Sequence, residues 1–583
     1  MADVDVVRRR RASSATPSSP MTARPRYASL RGPELHAPRP RRHLPLWLYD
    51  LDPSPASSRA ASPTSSVRFI APPSAPHAPS TAARRLVKYH PLLLTIAATT
   101  LIKILVGLGP YSGQGAPPMY GDFEAQRHWM EITLHLAPRE WYWYELEWWG
   151  LDYPPLTAYV SWLCGFVGNK LDNRWFALDS SRGMESEGLK LFMRWTVVVL
   201  DAAVWVPAVV WWARCRPGSA SSRARSASII ATLANPCLLL VDFGHFQYNS
   251  VMLGLTLLAA CAFVNKRYLV GAILFSLSLS FKQMALYYAP AIGIFLLATC
   301  IQTPLLFLKL AAVTTATFMF VFTPFLSTLP QAIHRIFPFA RGLFEDKVAN
   351  FWCFTNVLIK WRLLLSVQSL VRLSTILTVL AFLPAVLLMV QAPEPRLLPY
   401  ALLTSSLAFF LFSFQVHEKT ILVPLLPALM LSTTKSEWIT LFSNTAAFSM
   451  WPLLKRDGVG LQYVATLLLW NRLVGCNPFS FARDGWTVVK LLSVGVYAAA
   501  FLLHLAELLI PAPARYPDLW AVANVLVCTP VFFAVWAWSV KAGMEERWAG
   551  APILTTKVHS RANSLSPATP RPKSRLSRES LVS

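Results

Sequence analysis

Asp122 offers the sharpest chemistry in this sequence. It follows Gly121 in GDFEAQRHWMEITLHL, inside Tyr111 to Tyr153, where seven carboxylates stand against only Arg127 and Arg139, among eleven aromatic residues. A carboxylate at a helix start can accept backbone N–H groups as a cap. In a cleft it can instead take a proton as a general base. Asp152, in LDYPP, presents the same choice between a turn-former ahead of Pro154–Pro155 and a second acid of a site. The aromatics suit a membrane-interface belt, or the C–H faces of sugars whose hydroxyls the carboxylates would bind. Helical spacing puts Phe123, Gln126, Met130, Thr133 and Ala137 on one side of this segment. Glu131, Glu140, Glu145 and Glu147 receive no individual role.

Three further islands interrupt apolar sequence. HFQYNS supplies His245, Gln247, Tyr248 and Asn249, neutral hydrogen-bonding groups suited to sugar hydroxyls or simply a helix-start loop. RGLFEDKVANFWC mixes Arg341, Glu345, Asp346 and Lys347. These form either a solvated loop of internal ion pairs or a site in which cations hold a lipid phosphate and acids hold sugar hydroxyls. FQVHEK carries His417, Glu418 and Lys419, which either anchor a span end or neutralise a phosphate leaving group. It is not a zinc HExxH motif, because Ile421 stands where the second histidine would be.

The elements that must position these groups are membrane helices. The chain is 54% hydrophobic and 14% charged, against about 25% charged in soluble domains, and its mean hydropathy is +0.41. Long apolar runs such as PLLLTIAATTLIKILVGL predict an all-α, polytopic helical bundle of 11 to 14 spans. The net charge of +24 lies largely in tails flanking the spans, which fits the positive-inside rule. No basic groove or recognition module points to nucleic acid. The eight scattered cysteines show no metal-ligand spacing and read as small buried hydrophobes.

Three regions follow: a disordered basic cytosolic tail over 1–85, a membrane-embedded body over 86–540, and a second disordered cytosolic tail over 541–583. Alternating crossings place loops 110–155 and 327–355, with the other islands, on one non-cytosolic face. Residues 156–168 are too short to span and are expected to be re-entrant or interfacial. Polar islands gathered at one face of a bundle look like one site. Lys103 and Asp201, charged within spans, are the only hint of a transporter, and no internal repeat accompanies them.

At GDFEAQRHWMEIT, WWGLDYPPLTAYVS, GHFQYNSVMLG, FPFARGLFEDKVANFWC and FSFQVHEKTIL the sequence resembles the endoplasmic-reticulum glucosyltransferases that use dolichyl-phosphate glucose, in order over about 89–540. The resemblance implies a GT-C fold with a luminal cavity beside the first luminal loop, in a multi-pass protein of the endoplasmic-reticulum membrane with both termini cytosolic. It implies inverting transfer of glucose in α-1,3 linkage to the terminal mannose of a dolichyl-pyrophosphate-linked oligosaccharide. Ser250 after HFQYN favours the branch adding the first glucose over the sister branch adding the second. By the same resemblance Asp122 sits at the catalytic-base position, and Asp152, Glu345 and His417 in other active-site motifs. The leaving group would be a phosphate monoester, which a cation such as Arg341, Lys347 or Lys419 can stabilise, so neither metal nor cofactor is expected. The implied partners are the two dolichyl-linked substrates and membrane lipids, and no protein partner is identified.

Overall fold

The computed structural model describes residues 91–216, 221–301, 303–337, 347–414, 416–432, 436–476 and 487–549. Among them every regular element is helical. The principal helices are α1 (Pro91–Gly107), α2 (Asp122–His135), α3 (Pro155–Leu171), α4 (Glu187–Cys215), α5 (Ser222–Phe246), α6 (Asn249–Val264), α7 (Tyr268–Phe281), α8 (Gln283–Cys300) and α9 (Pro304–Ile336). They continue with α10 (Val367–Gln391), α11 (Leu398–Phe412), α12 (Leu422–Met430), α13 (Ser436–Ser449), α14 (Gly460–Val474), α15 (Val488–Leu509) and α16 (Leu519–Ala549).

Seven of these, α4, α5, α8, α9, α10, α15 and α16, are long and apolar enough to cross a membrane, and α1, α6, α7 and α11 are shorter apolar helices. Every expected span contains a helix, but length alone qualifies fewer than 11 to 14. The nine-residue α12, wholly buried, rises only about 14 Å and cannot cross unaided. Burial sorts the layers. The most apolar window of α5 is 89% buried and that of α9 only 11%, so α5 runs through the centre and α9 turns its apolar side chains outward.

The segment expected to be re-entrant or interfacial lies in α3, a 17-residue helix that packs along α2. Two expectations change. Residues 541–549, expected to open the second tail, are helical, because α16 continues to Ala549; the 1–85 tail and residues beyond 549 lie outside the described residues. The aromatics of loop 110–155 do not form an interface belt alone. Residues 123–133 of α2 are all buried, and Trp129, Trp141, Tyr142 and Leu151 form a compact core with Phe325 and Ile336. Most of the aromatic density thus builds a small folded cap. Arg335 fastens it by donating to the carbonyls of Gly150 and Leu151.

Lys103 of α1 and Asp201 of α4 pair directly, 1% and 2% exposed. A π turn over Asp201–Trp205 marks the place in α4, a distortion common where a helix carries a special residue. Two opposite charges satisfying each other inside a bundle are a structural tie, and removing one partner leaves the other charge buried alone. Lys103→Met is therefore expected to cost about 3–5 kcal/mol, and Lys103→Met with Asp201→Leu to recover most of it, as read by thermal unfolding in detergent. Equal losses in the single and double variants would show that the pair is not the source of the effect.

Candidate active site

The site forms where the start of α2, the end of α5 and the turn before α12 meet. Asp122 is the first residue of α2, and Gly121 occupies the cap position without a side-chain bond. The capping role is thus excluded, and the carboxylate faces other side chains. Its Oδ2 accepts from the Lys419 ammonium and the Gln247 amide, and His245 Nε2 lies 3.2 Å away. His245 Nδ1 is 2.6 Å from Asp457 Oδ2, and Lys419 Nζ is 3.2 Å from His245 Nε2. Burial disfavours charge on Asp122, but Lys419 and His245 outweigh it and hold the carboxyl well below the usual carboxylate range. Asp122 remains 21% exposed and Lys419 14%, so both can be approached from outside.

Local sequence explains why the backbone brings these groups together. α5 widens into a π helix over Leu239–Phe246 and ends on Phe246 at φ 94°, a left-handed conformation that costs a phenylalanine energy and clusters at functional sites. The aromatic contacts Tyr111–Phe123 (4.0 Å), Phe123–Phe246 (4.9 Å) and Phe246–Tyr248 (5.5 Å) hold that turn against α2. Ser112 N–H donates to the His245 carbonyl, and Ser112 Oγ accepts from Asp122 N–H. Gly113, at φ 73°, allows this approach, because a Cβ there would overlap the Gly121 backbone.

Two residues in contact with this cluster escaped the sequence reading. Lys282, at the α7–α8 junction and 1% exposed, donates to Gln247 Oε1 at 3.0 Å and Asn249 Oδ1 at 2.6 Å. A lysine has only donors, so it forces the Gln247 oxygen inward and leaves the amide NH₂ for Asp122. Asp457 orients His245 from the other side. Lys282 carried a signal, as a lone cation between two apolar runs. Asp457 did not, since KRDG reads as an ordinary turn.

The remaining candidates divide. Asp152 lies close enough for its charge to act on Lys282, and Lys282 Nζ sits 4.8 Å over the neighbouring Tyr153 ring. His417 precedes the short turn that presents Lys419, its N–H donating to Thr420 Oγ1. Lys347 is paired with Asp518 at 2.9 Å, apart from the Asp122 cluster. Arg341, Glu345 and Asp346 lie outside the described residues. Of the four acids given no individual role, Glu131 binds Arg127, which is 0% exposed and also holds Glu124, Glu140 accepts from Ala137 N–H, and Glu145 pairs with Arg182. The acidity of 111–153 therefore serves mainly to balance internal cations.

A many-helix membrane protein holding a half-buried carboxylate among an imidazole, an amide and an ammonium has the parts of a polar group-transfer enzyme. The chain belongs to the ALG6, ALG8 glycosyltransferase family, whose model matches residues 99–539. It is therefore a glycosyltransferase-family member, which removes the transporter reading. It is 44% identical over 500 residues to the dolichyl pyrophosphate Man9GlcNAc2 alpha-1,3-glucosyltransferase of Saccharomyces cerevisiae, covering 78% of this chain and 91% of that one. Identity is 37% to the protein of the same name from Gallus gallus, covering 77% and 96%. Among solved structures, ArnT from Cupriavidus metallidurans bound to undecaprenyl phosphate aligns with a TM-score of 0.35 at 13% identity, over 79% of this chain and 78% of that one.

Glu131 provides a test of the α2 network. Burial opposes its charge, but a hydrogen bond from His128 and the charge of Arg127 prevail and bring its pKa to about 2, below the ordinary value of about 4.3. Its contribution to stability is full above the ordinary value and fades as pH falls towards about 2. Glu131→Gln is expected to lower the Tm at neutral pH and to flatten the acid loss of stability over that window. An unchanged acid slope would remove Glu131 as its source.

Proposed function

We propose that this chain transfers the first glucose from dolichyl-phosphate glucose, in α-1,3 linkage, to the terminal mannose of the dolichyl-pyrophosphate-linked Man9GlcNAc2 oligosaccharide, on the luminal side of the endoplasmic-reticulum membrane. The acceptor comes from the names of the relatives. The observation that carries the chemistry is the meeting of Asp122, Lys419 and the His245–Gln247 segment, three stretches far apart in sequence, at one carboxylate oxygen.

In this mechanism the O3 hydroxyl of the mannose gives its proton to Asp122 as the oxygen attacks C1 of the β-linked glucose. The C1–O bond breaks on the opposite face and its electron pair leaves on the phosphate, so the product is the α-linked sugar. With Lys419 bound to it, Asp122 is ionised but weakly basic. Donor phosphate draws the Lys419 ammonium away, which stabilises the leaving group and raises the basicity of Asp122 at the same moment. Gln247, locked by Lys282, continues to orient the carboxylate. His417 and Asp152 flank the phosphate and sugar ends. A cation handles the departing monoester, so the step uses neither metal nor cofactor.

The test is purified protein given dolichyl-phosphate glucose with unglucosylated or monoglucosylated acceptor, with and without chelator. Transfer to the unglucosylated acceptor alone, kept in chelator and reduced about 10²–10⁴-fold in Asp122→Asn, is expected. Transfer only to the monoglucosylated acceptor would assign the chain to the sister branch. Lys419→Gln should also move the acid limb of kcat/KM to higher pH by roughly 1–3 pH units, because Asp122 loses the charge that depresses it. A limb that stays in place would separate Lys419 from the base.

A further inference from the structure

A second cationic cleft lies between α1 and the first turns of α4, beside Phe243 of the α5 π helix. It is an open cleft of about 520 Å³ counted out to its mouth, and Lys103, Leu108, Lys190, Leu191, Arg194 and Trp195 are among its walls. Arg194 is its centre. The side chain is 7% exposed, and its stem lies against Gly107. Its Nη2 donates to the carbonyls of Pro110 and Gly244 and its guanidinium lies 5.7 Å from the Phe246 ring centroid, while Nε and Nη1, both buried, have no hydrogen-bond partner. Among the described residues no carboxylate forms an ion pair with it.

A guanidinium buried with two unsatisfied nitrogens and no counter-ion is costly, and an anion would complete it. Guanidinium geometry favours phosphate oxygens, taken two at a time. Lys190, one turn earlier, adds a second cation. Lys103 is already neutralised by Asp201, and Glu187 at the mouth is the opposing acid. The start of α4, capped by Ser186, adds the positive end of a helix dipole. The outer walls are apolar and open, with Leu108 64%, Leu191 56% and Trp195 48% exposed. A free anion has no use for such walls, whereas a lipid chain does.

We propose that this cleft binds a phosphate-headed lipid, its phosphate on Arg194 and Lys190 and its chain along Leu108, Leu191 and Trp195. The cleft shares no lining side chain with the Asp122 cluster, so the inference stands independently of the transfer reaction.

The test uses full-length, delipidated protein in detergent, with dioctanoyl phosphatidic acid, dioctanoylglycerol and inorganic phosphate as separate probes. Binding is read by native mass spectrometry and thermal shift. Phosphatidic acid is expected to bind and stabilise, and the other two to do neither. Arg194→Gln and Lys190→Glu should each weaken phosphatidic acid binding about tenfold or more, while Lys541→Gln, at an exposed lysine of α16, leaves it unchanged. Lys190 is only partly buried, so its variant decides the question if Arg194→Gln does not fold. Equal binding of dioctanoylglycerol, equal effect of inorganic phosphate, or a loss confined to Lys419→Gln would each overturn the proposal. They would assign a purely apolar groove, a free-anion site and the Asp122 site respectively.

Discussion

Everything at the centre of this molecule depends on one carboxylate oxygen, Oδ2 of Asp122, and the three groups that converge on it. A carboxylate cannot hold charge in so closed a setting without donors, and the donors must arrive from separate parts of the chain. α2 brings the acid, α5 brings His245 and Gln247, and the turn before α12 brings Lys419. Each carrier is itself fixed: α2 by the aromatic contacts from Tyr111 to Tyr248, Gln247 by Lys282, and His245 by Asp457. The surrounding bundle is the scaffold on which these second contacts are made.

The arrangement also explains the unusual balance of charge. The body of the protein places cations where each has a defined task. Lys103 ties two helices through Asp201, and Arg127 gathers Glu124 and Glu131 of α2 and Ser181 from the segment before α4. Lys282 orients an amide. In a medium of low dielectric a point charge is a strong positioning device when satisfied and a liability when not. Arg194, with two nitrogens lacking a hydrogen-bond partner, departs from that pattern.

Much of this was legible in the sequence. Apolar runs announced the helices because each span must satisfy its own backbone in lipid. The polar islands announced the site because charge is excluded from spans without reason. Asp122, His245, Gln247 and Lys419, all singled out by type and context, lie in one cluster. What sequence could not resolve were distances between partners. The acidic, aromatic stretch suggested a sugar platform or interface belt, yet Trp129, Trp141 and Tyr142 pack into their own core and Glu131 faces Arg127. Local composition has no means of telling an acid that meets a substrate from one that meets an arginine four residues earlier. Asp457 was invisible for the same reason, since its partner lies 212 residues away.

The separation of Asp122 from Lys419 by 297 residues has a consequence for how the protein is made. At about 5–20 residues per second, the ribosome delivers the lysine roughly 15–60 s after the aspartate. Throughout that interval the acidic segment exists with its principal counter-charge not yet synthesised. Its carboxylate must stay in water until the later helices are made. The pocket therefore closes late, and a chain cut short before Lys419 carries a central charge that has nowhere to settle. Such a fragment would display an unfinished polar face at the membrane surface, the kind of feature by which quality-control machinery distinguishes an incomplete membrane protein from a finished one.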